Sequence, residues 1–494
     1  RMSLLYQNLA VRQLEKYCYN DGIATPSQLM FRAASAAWTY CQCRYPKCND
    51  FTVYCGRGNN AGDGLVFARL ALEAGMKVNV IFVAGEEMAT PESTQALADV
   101  RFSDATISTY QDDSMPQQGV IIDALLGTGM KGKLREPYAS AIAQINQSTV
   151  PVLSLDMPSG LDADTGRAHD QAVHAEATVT FIAMKPGLLI ANGPAHSGTI
   201  CVNDLALPRE IFDQVQPAAK TVLWSEVMPL LQRRQRDAHK GDHGHTLVIG
   251  GDYGMGGAVR MAAEAALRVG AGLVTVATRP EHVPIVSGVR PEIMCHQIAV
   301  ASDLDPLLAR CNVVVIGPGL GKTEWASGLL DRVLSTDTLK VLDADALNLL
   351  SEMSRPVSHA VLTPHPGEAA RLLHMTSSDI QDDRFAALDS LVQRYDSLVV
   401  LKGSGTMLGD KDCLPLICME GNPGMATAGM GDVLTGVIGG LMAQGLSRYE
   451  ASKAGILVHS TAADLAAEEG GERGLLATDL LGYLRELVNP YDNL

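Results

Sequence analysis

The chain is predicted to be an α/β protein of two domains, each built on a mainly parallel sheet with helices covering both faces. Three observations predict this. A β-branched apolar run, a glycine turn and an apolar-periodic helix follow one another repeatedly along the chain. The strand-like runs are apolar on both faces, as buried parallel strands are. And 494 residues exceed what one ordinary core organises.

In the first series Phe51 to Cys55 reads as a strand, positions 56 to 64 as its glycine turn, Leu65 to Ala74 as a helix and Lys77 to Val83 as the next strand. Further strands are expected at Gly119 to Ile122, Val152 to Leu155 and Thr178 to Phe181. The chain before the first strand reads as helices with Leu9, Leu14, Leu29 and Phe31 on their apolar faces. A second series begins with a strand at Thr246 to Ile249, a turn at Gly250 to Gly257, a helix at Ala258 to Val269 and a strand at Leu273 to Ala277. Later strands are expected at Val313 to Ile316, Lys340 to Leu342, Ala360 to Leu362 and Leu398 to Leu401. Pro217 and the basic run Arg233-Arg234-Gln235-Arg236 mark the stretch between the series, giving domains of 1–222 and 223–494. Sheets of this kind take ligands at the carboxyl ends of their strands, where the glycine turns fall.

A formal net charge of -16 sets nucleic acid and anionic membranes aside as main partners, while leaving room for a local basic pocket. Low aromatic content does not suit a base-stacking platform. No run of about 18 uninterrupted apolar residues occurs, so no membrane span is expected. The ten cysteines are scattered and no basic-then-apolar leader opens the chain, which favours a reducing cytoplasm. Cys41, Cys43, Cys48 and Cys55 are close together, but their spacing fits no standard zinc pattern.

Three segments of the first half carry chemistry. Gly56-Arg-Gly-Asn59-Asn60-Ala61-Gly62-Asp63-Gly64 follows a strand and opens a helix, so its backbone can approach a phosphate. Asp123-Ala-Leu-Leu-Gly127-Thr128-Gly129 places a carboxylate at a strand end, with Lys131 and Lys133 beyond it to meet negative charge. Leu155-Asp156-Met-Pro-Ser159-Gly160 adds another carboxylate and a hydroxyl at a third strand end. Oxygens from Asn60, Asp123 and Ser159 suit a hard monovalent or divalent cation, leaving Asp156 free for proton transfer.

In the second half, Gly317-Pro-Gly319-Leu-Gly321, Asp343, Asp345 and Asn348, Thr363-Pro-His365-Pro-Gly-Glu368 and Lys402-Gly403-Ser404-Gly405-Thr406 follow successive strands. His365, held between two prolines, is a candidate ligand contact. His239, His243 and His245 lie among glycines that leave them unfixed, which suits a glycine-rich approach to a strand better than a metal site. The most informative stretch is Gly421-Asn-Pro-Gly-Met-Ala-Thr-Ala-Gly-Met430-Gly431-Asp432-Val-Leu-Thr-Gly436, a glycine turn followed by a helix pattern from Val433. Backbone amides and a helix N-terminus form an anion site there. Asp432 beside it is either an acidic helix cap or a general base for a hydroxyl attacking a held phosphoryl group.

The first-half strings G-x-G-N-N-x-G-D-G, D-A-L-L-G-T-G and L-D-x-P-S-G-L-D-A-D-T-G resemble the NAD(P)H-hydrate epimerase family, with Ala61 where that family usually has Gly. The resemblance implies a Rossmann-like three-layer sandwich, with potassium held by Asn60, Asp123 and Ser159. It implies a substrate cradle of Asn59, Asn60, Ala61, Gly62, Asp63, Gly127, Thr128, Gly129, Met130, Lys131, Gly132, Lys133 and Tyr138, with Asp156 as the acid/base residue. The second-half strings L-V-I-G-G, I-G-P-G-L-G, L-D-A-D-A-L-N, T-P-H-P-G-E and G-N-P-G-M-A-T-A-G-x-G-D-V-L-T-G resemble the ADP-dependent NAD(P)H-hydrate dehydratase family, with Met430 in place of a small residue. That resemblance implies a ribokinase-like domain using ADP and magnesium, which dehydrates the S hydrate to NADH or NADPH with AMP and phosphate as products. Lys402, Gly403, Ser404, Gly405, Thr406 and Gly431 then look like nucleotide contacts, and Ala258, Gly319, His365 and Asp432 like contacts to the hydrated dinucleotide. A homo-oligomer, tetramer or octamer, is also implied. The rival readings are a ribokinase-like small-molecule kinase and a non-catalytic binding module in the first half.

Overall fold

The computed structural model describes residues 3–111 and 115–491. It divides into two compact units, Arg1–Lys220 and Thr221–Leu494.

The first unit carries a seven-stranded parallel sheet in the order Thr106–Thr109, Lys77–Phe82, Asp50–Cys55, Val120–Ala124, Val152–Leu155, Ala177–Phe181, Thr199–Asn203. Apolar cores on both faces explain the continuous hydrophobic runs of its central strands. On one face Phe51, Phe67 and Trp38 meet edge to face. On the other, Tyr54, Ile81 and Ile121 pack with Ile142 and Ile145.

Two expectations fail here for the same geometric reason. Leu9 and Phe31 are exposed, at 70% and 46%, although both were placed on apolar faces. Helix Asn8–Asn20 buries Val11, Leu14 and Cys18, and helix Pro26–Arg44 buries Leu29, Met30 and Ala33. Leu9 and Phe31 each lie two positions from a buried residue, hence about 200° round the helix. Next, the stretch 59–64, read as a turn, is helical, because the helix spans Asn59–Glu73. Its glycines serve close packing: a Cβ on Gly64 would meet that of Ala124 at 2.5 Å. The strands Thr106–Thr109 and Thr199–Asn203, short and half-exposed at the sheet edges, carry too little apolar pattern to be read.

Within the second unit the strands run Leu416–Ile417, Met407–Gly409, Leu398–Leu401, Ala360–Leu362, Leu339–Leu342, Val313–Ile316, His245–Ile249, Leu273–Thr278, Met294–Gln297. They are parallel apart from the antiparallel ladder from Leu398–Leu401 through Leu416–Ile417. Helix Met430–Ala443 is buried along almost its whole length. Its glycines allow this, since a Cβ on Gly436 would stand 2.0 Å from the carbonyl of Ala262 and one on Gly439 2.4 Å from Val315.

Each sheet reverses its strand order once near the middle. In the first unit the reversal lies between Asp50–Cys55 and Val120–Ala124; in the second, between His245–Ile249 and Val313–Ile316. The crevice outside such a reversal is where open α/β sheets bind ligands. Both glycine-rich starts, 56–60 and 250–251, emerge there. Gly436→Ala is expected to destabilise the second unit by at least ~1–3 kcal/mol through overpacking, seen as a lowered thermal midpoint.

Candidate active sites

At the carboxyl end of the first unit's sheet is a cleft of about 470 Å³. Its walls include Asn59, Asn60, Asp63, Gly127, Thr128, Gly129, Met130, Tyr138 and Asp156. Ala61 and Gly62 turn away from it. Ala61 is fully buried in the core, so its methyl group removes no cleft surface. A Cβ on Gly62 would meet the Met30 side chain at 2.4 Å. Lys131, Gly132 and Lys133 lie exposed outside the walls.

Asp156 is not free in the way its sequence position suggested. It ends the strand Val152–Leu155 in a left-handed conformation, φ 66°, which aspartate tolerates better than most residues and which its surroundings fix. The constraint is visible. Its Oδ1 accepts from Lys185 Nζ at 2.6 Å, Thr180 Oγ1 at 3.2 Å and the Phe181 amide at 3.2 Å. Oδ2 has no hydrogen-bond partner among the described residues. One oxygen is thus anchored by a buried ammonium while the other is available in the cleft wall. Two further acids share this field. Burial, with the charge of Asp156 next, pushes the carboxyls of Glu15 and Asp63 up from their ordinary values.

Asp123 is fully buried and its carboxylate accepts from the Ser159 hydroxyl, the Ser159 amide at 2.9 Å, Ser154 Oγ at 2.7 Å and the Leu125 amide at 3.3 Å. Burial nevertheless raises its pKa, because no cation answers the charge. The Asn60 carboxamide is buried, and neither its oxygen nor its nitrogen has a hydrogen-bond partner among the described residues. Its Cβ lies 3.4 Å from where a Cβ on Gly127 would stand, on the loop whose Leu126 amide donates to Ser159 Oγ at 2.9 Å. An orphaned amide oxygen and a buried carboxylate with no cationic partner among the described residues are donors that fit a hard cation.

In the second unit the segments named from sequence do converge. Lys402 Nζ, at the end of Leu398–Leu401, donates to Asp343 Oδ1 at 2.9 Å, at the end of Leu339–Leu342. The Thr435 hydroxyl contacts Asp343 Oδ2 at 2.8 Å and the Gly431 carbonyl at 2.7 Å. Gly431 lies against this pair, since a Cβ there would stand 2.9 Å from Lys402 Nζ. The Gly321 amide donates to Asp345 at 2.9 Å, and a Cβ on Gly319 would touch that of Ala258 at 3.2 Å.

Asp432 is the third residue of helix Met430–Ala443, whose cap is Gly429 at φ 90°, so the acidic-cap reading fails and the helix starts three residues earlier than expected. The first intrahelical bond runs from the Val433 amide to Gly429, leaving the amides before it for a ligand. Upstream, the turn is pinned: Asp464 takes the Gly421 amide at 2.9 Å and Asn422 Nδ2 at 2.8 Å. Burial, then repulsion from Asp343, pushes the Asp432 carboxyl up to about 7 against the pull of Lys402. It has no hydrogen-bond partner among the described residues. Met430 is buried in the core, so the departure at that position is absorbed by packing.

His365 has a second occupation. Its Nδ1 accepts from the amides of Gly367 at 2.9 Å and Glu368 at 3.3 Å, capping helix Pro366–Leu373, while Nε2 lies 3.2 Å from Glu368. Burial, Lys402 and Arg371 lower its pKa and keep it neutral. Glu368 is raised to about 7, burial being the larger cause.

The comparisons with known proteins fit this geometry. A family model described as NAD(P)H-hydrate dehydratase matches residues 246–486, and one described as YjeF-related protein N-terminus matches 26–187. The bifunctional NAD(P)H-hydrate repair enzyme Nnr of Coxiella burnetii is 54% identical over 489 residues, 99% of this chain and 100% of that protein. Its Escherichia coli counterpart is 42% identical over 94% of this chain and 90% of that protein. The chain belongs to the bifunctional NAD(P)H-hydrate repair enzyme family. Among solved structures, the ADP/ATP-dependent NAD(P)H-hydrate dehydratase of Bacillus subtilis, co-crystallised with ATP and Mg2+, aligns at TM-score 0.51 and 29% identity over 55% of this chain and 98% of its own. A ribokinase-like superfamily protein of Enterococcus faecalis aligns at TM-score 0.50 and 29% identity over 53% and 94%. In this family's terms the first unit carries the epimerase half and the second a ribokinase-like dehydratase half.

Three structural partners escaped the sequence reading. Glu15 and Lys185 reach the first cleft from a helix and a loop without a glycine motif; the signal for Lys185 was its place just after the strand Ala177–Phe181. Arg384 is the third. Its guanidinium is fully buried and donates to the carbonyls of Leu401 at 3.2 Å, Lys402 at 3.3 Å and Gly405 at 3.1 Å, bracing the whole 402–406 loop. Arg384→Met is expected to raise the KM for nucleotide about 10-fold or more while the dinucleotide still binds, checked by steady-state kinetics. A carboxyl at about 7 in the fold against 3.8 when unfolded costs stability above pH 3.8, fully so above pH 7. Asp432→Asn should therefore raise the thermal midpoint by a few degrees at pH 8 and leave it unchanged at pH 4.

Proposed function

We propose that the dehydratase half runs on Asp432 as general base. The carrying observation is an unpartnered carboxyl poised at about 7 in the first turn of a helix whose opening amides are free. A base is most effective when its pKa lies near the working pH. Asp432 takes the proton of the hydroxyl on the hydrated nicotinamide ring as that oxygen attacks the terminal phosphoryl group of ADP. The bond to the bridging oxygen breaks and AMP leaves. Phosphate, a far better leaving group than hydroxide, then departs with the electrons of the ring C–O bond while the adjacent ring carbon gives up a proton, and the new double bond restores the dihydropyridine of NADH or NADPH.

The remaining residues position and neutralise. The amides of Met430, Gly431 and Asp432 receive the transferring phosphoryl oxygens. Lys402 supplies positive charge beside them, and the 402–406 loop lies along the nucleotide. Ala258, Gly319 and His365 line the approach of the dinucleotide. Magnesium adds charge neutralisation on the phosphates when bound. Asp343, Asp345 and Glu368 each already accept hydrogen bonds, which suits a metal carried mainly by phosphate.

In the epimerase half, Asp156 Oδ2 is the group that moves a proton on the hydrated ring carbon's hydroxyl, while Lys185 and the left-handed backbone hold it still. Glu15 and Asp63, raised by burial, are the neighbouring proton holders. Asn60, Asp123 and Ser159 would hold potassium, which would supply counter-charge for buried Asp123. Asn59, Asp63, Gly127, Thr128, Gly129, Met130 and Tyr138 form the cradle. Interconverting the R and S forms lets one stereospecific dehydratase consume both. A homo-oligomer using NADHX, NADPHX and ADP completes the reading.

The test is direct: hydrated NADH with ADP and magnesium should regain the dihydropyridine absorbance. Asp432→Ala should slow that by about 10² to 10⁴ while the dinucleotide still binds. The wild-type rate should fall as pH drops below 7, because the base becomes protonated. Asp156→Ala should leave repair of the S form intact and make the R form wait on spontaneous epimerisation. Phosphorylated product without NADH would indicate a kinase instead.

A further inference from the structure

The second unit has another cleft, of about 870 Å³, that the chemistry above does not use. It lies at the amino ends of the strands, the opposite edge from Asp432: His243 and Gly270, in its walls, precede the strands His245–Ile249 and Leu273–Thr278. Among the described residues five arginines line it, Arg233, Arg234, Arg268, Arg290 and Arg485, with Glu264 and Glu292 as the acidic groups, and Arg233 donates to the Tyr491 carbonyl. On a chain with net charge -16 this is a local reversal of sign.

A purely structural account covers part of this. Arg268 and Arg485 occupy the last turns of helices Gly256–Arg268 and Leu480–Leu487, where the helix dipole favours cations. Buried Glu264 binds Arg290 and also lies 4.0 Å from Arg268 and 3.7 Å from Arg260. One carboxylate is therefore shared among three guanidiniums. Arg234 reaches only neutral groups, the Gly270 carbonyl and Gln444 Oε1, and burial lowers its pKa. Arg485 has no side-chain partner among the described residues. Positive charge beyond what the fold needs thus faces an empty volume of small-molecule size. Apolar surface from Leu267, Leu446, Val488 and Tyr491 lies alongside it.

We propose that this cleft binds a nucleotide polyphosphate, its phosphates forked by the arginines and its organic part against the apolar wall. Guanidiniums are the groups best matched to phosphate oxygens in pairs.

Equilibrium dialysis of the full chain with labelled ADP tests this. Two ADP per chain are expected, one at the glycine turn and one here. Arg234→Gln/Arg485→Gln should bind one and keep its dehydratase turnover, while Lys402→Ala should keep the cleft ADP. Arg485→Gln alone, which leaves the bond of Arg234 to Gly270 intact, should weaken the cleft site about 10-fold or more at an unchanged thermal midpoint. The proposal is overturned if the double variant still binds two, or if the wild type binds one that Lys402→Ala abolishes. A single ADP lost in the arginine variant and kept in Lys402→Ala would instead support the cleft and sink the proposed nucleotide role of Lys402.

Discussion

The buried ion pair between Lys402 and Asp343 is the interaction on which the second unit's site depends. Asp343 is 2% exposed and Lys402 18%, and they join the ends of two strands. Removing one partner of such a pair costs about 3–5 kcal/mol, because the other is left buried and unanswered. Burial disfavours the ammonium, yet Asp343 and Glu368 hold the Lys402 pKa above its ordinary value. The Lys402 ammonium is therefore committed to Asp343. Asp432, close enough to feel that carboxylate and not bonded to the lysine, is left with a proton that it holds until about neutral pH. The reactivity proposed for Asp432 follows from a bond made by its neighbours.

The first unit uses the same two components differently. Lys185 grips the proposed acid/base residue itself, and Asp156, with its left-handed backbone, lies in the cleft wall. Only one oxygen is engaged, so the group is both oriented and available. In both units the carboxylate that matters emerges beside a sheet's change of strand order. Neighbouring loops diverge at that point, and divergence is what opens a crevice.

The glycine string at 59–64 reads as a turn from sequence, which misjudges what its glycines do. In 59–64 and again around Gly436 they let a helix lie close on its support, which requires small side chains without requiring a loop. The same pattern is compatible with a turn, and the choice is made by the packed partner, Ala124 or Ala262. Leu9 and Phe31 mislead in a similar way, because hydrophobicity alone does not say which face of a helix is covered. Asp464 and Arg384, which hold the active loops, belong to helices with ordinary polar patterns and gave no signal at all.

Local order along the chain determined the α/β alternation, the glycine-bearing strand ends and the identity of the carboxylates Asp156 and Asp432. These are short-range properties, set by side-chain period and by the backbone freedom of a few residues. Tertiary structure alone decided which oxygen of Asp156 is free of the described residues, that the Asn60 carboxamide has no partner among them and that Asp432 is shifted toward neutrality. Each of those depends on burial and on charges brought in from distant segments, and electrostatic energy answers to distance in space, not to separation along the chain.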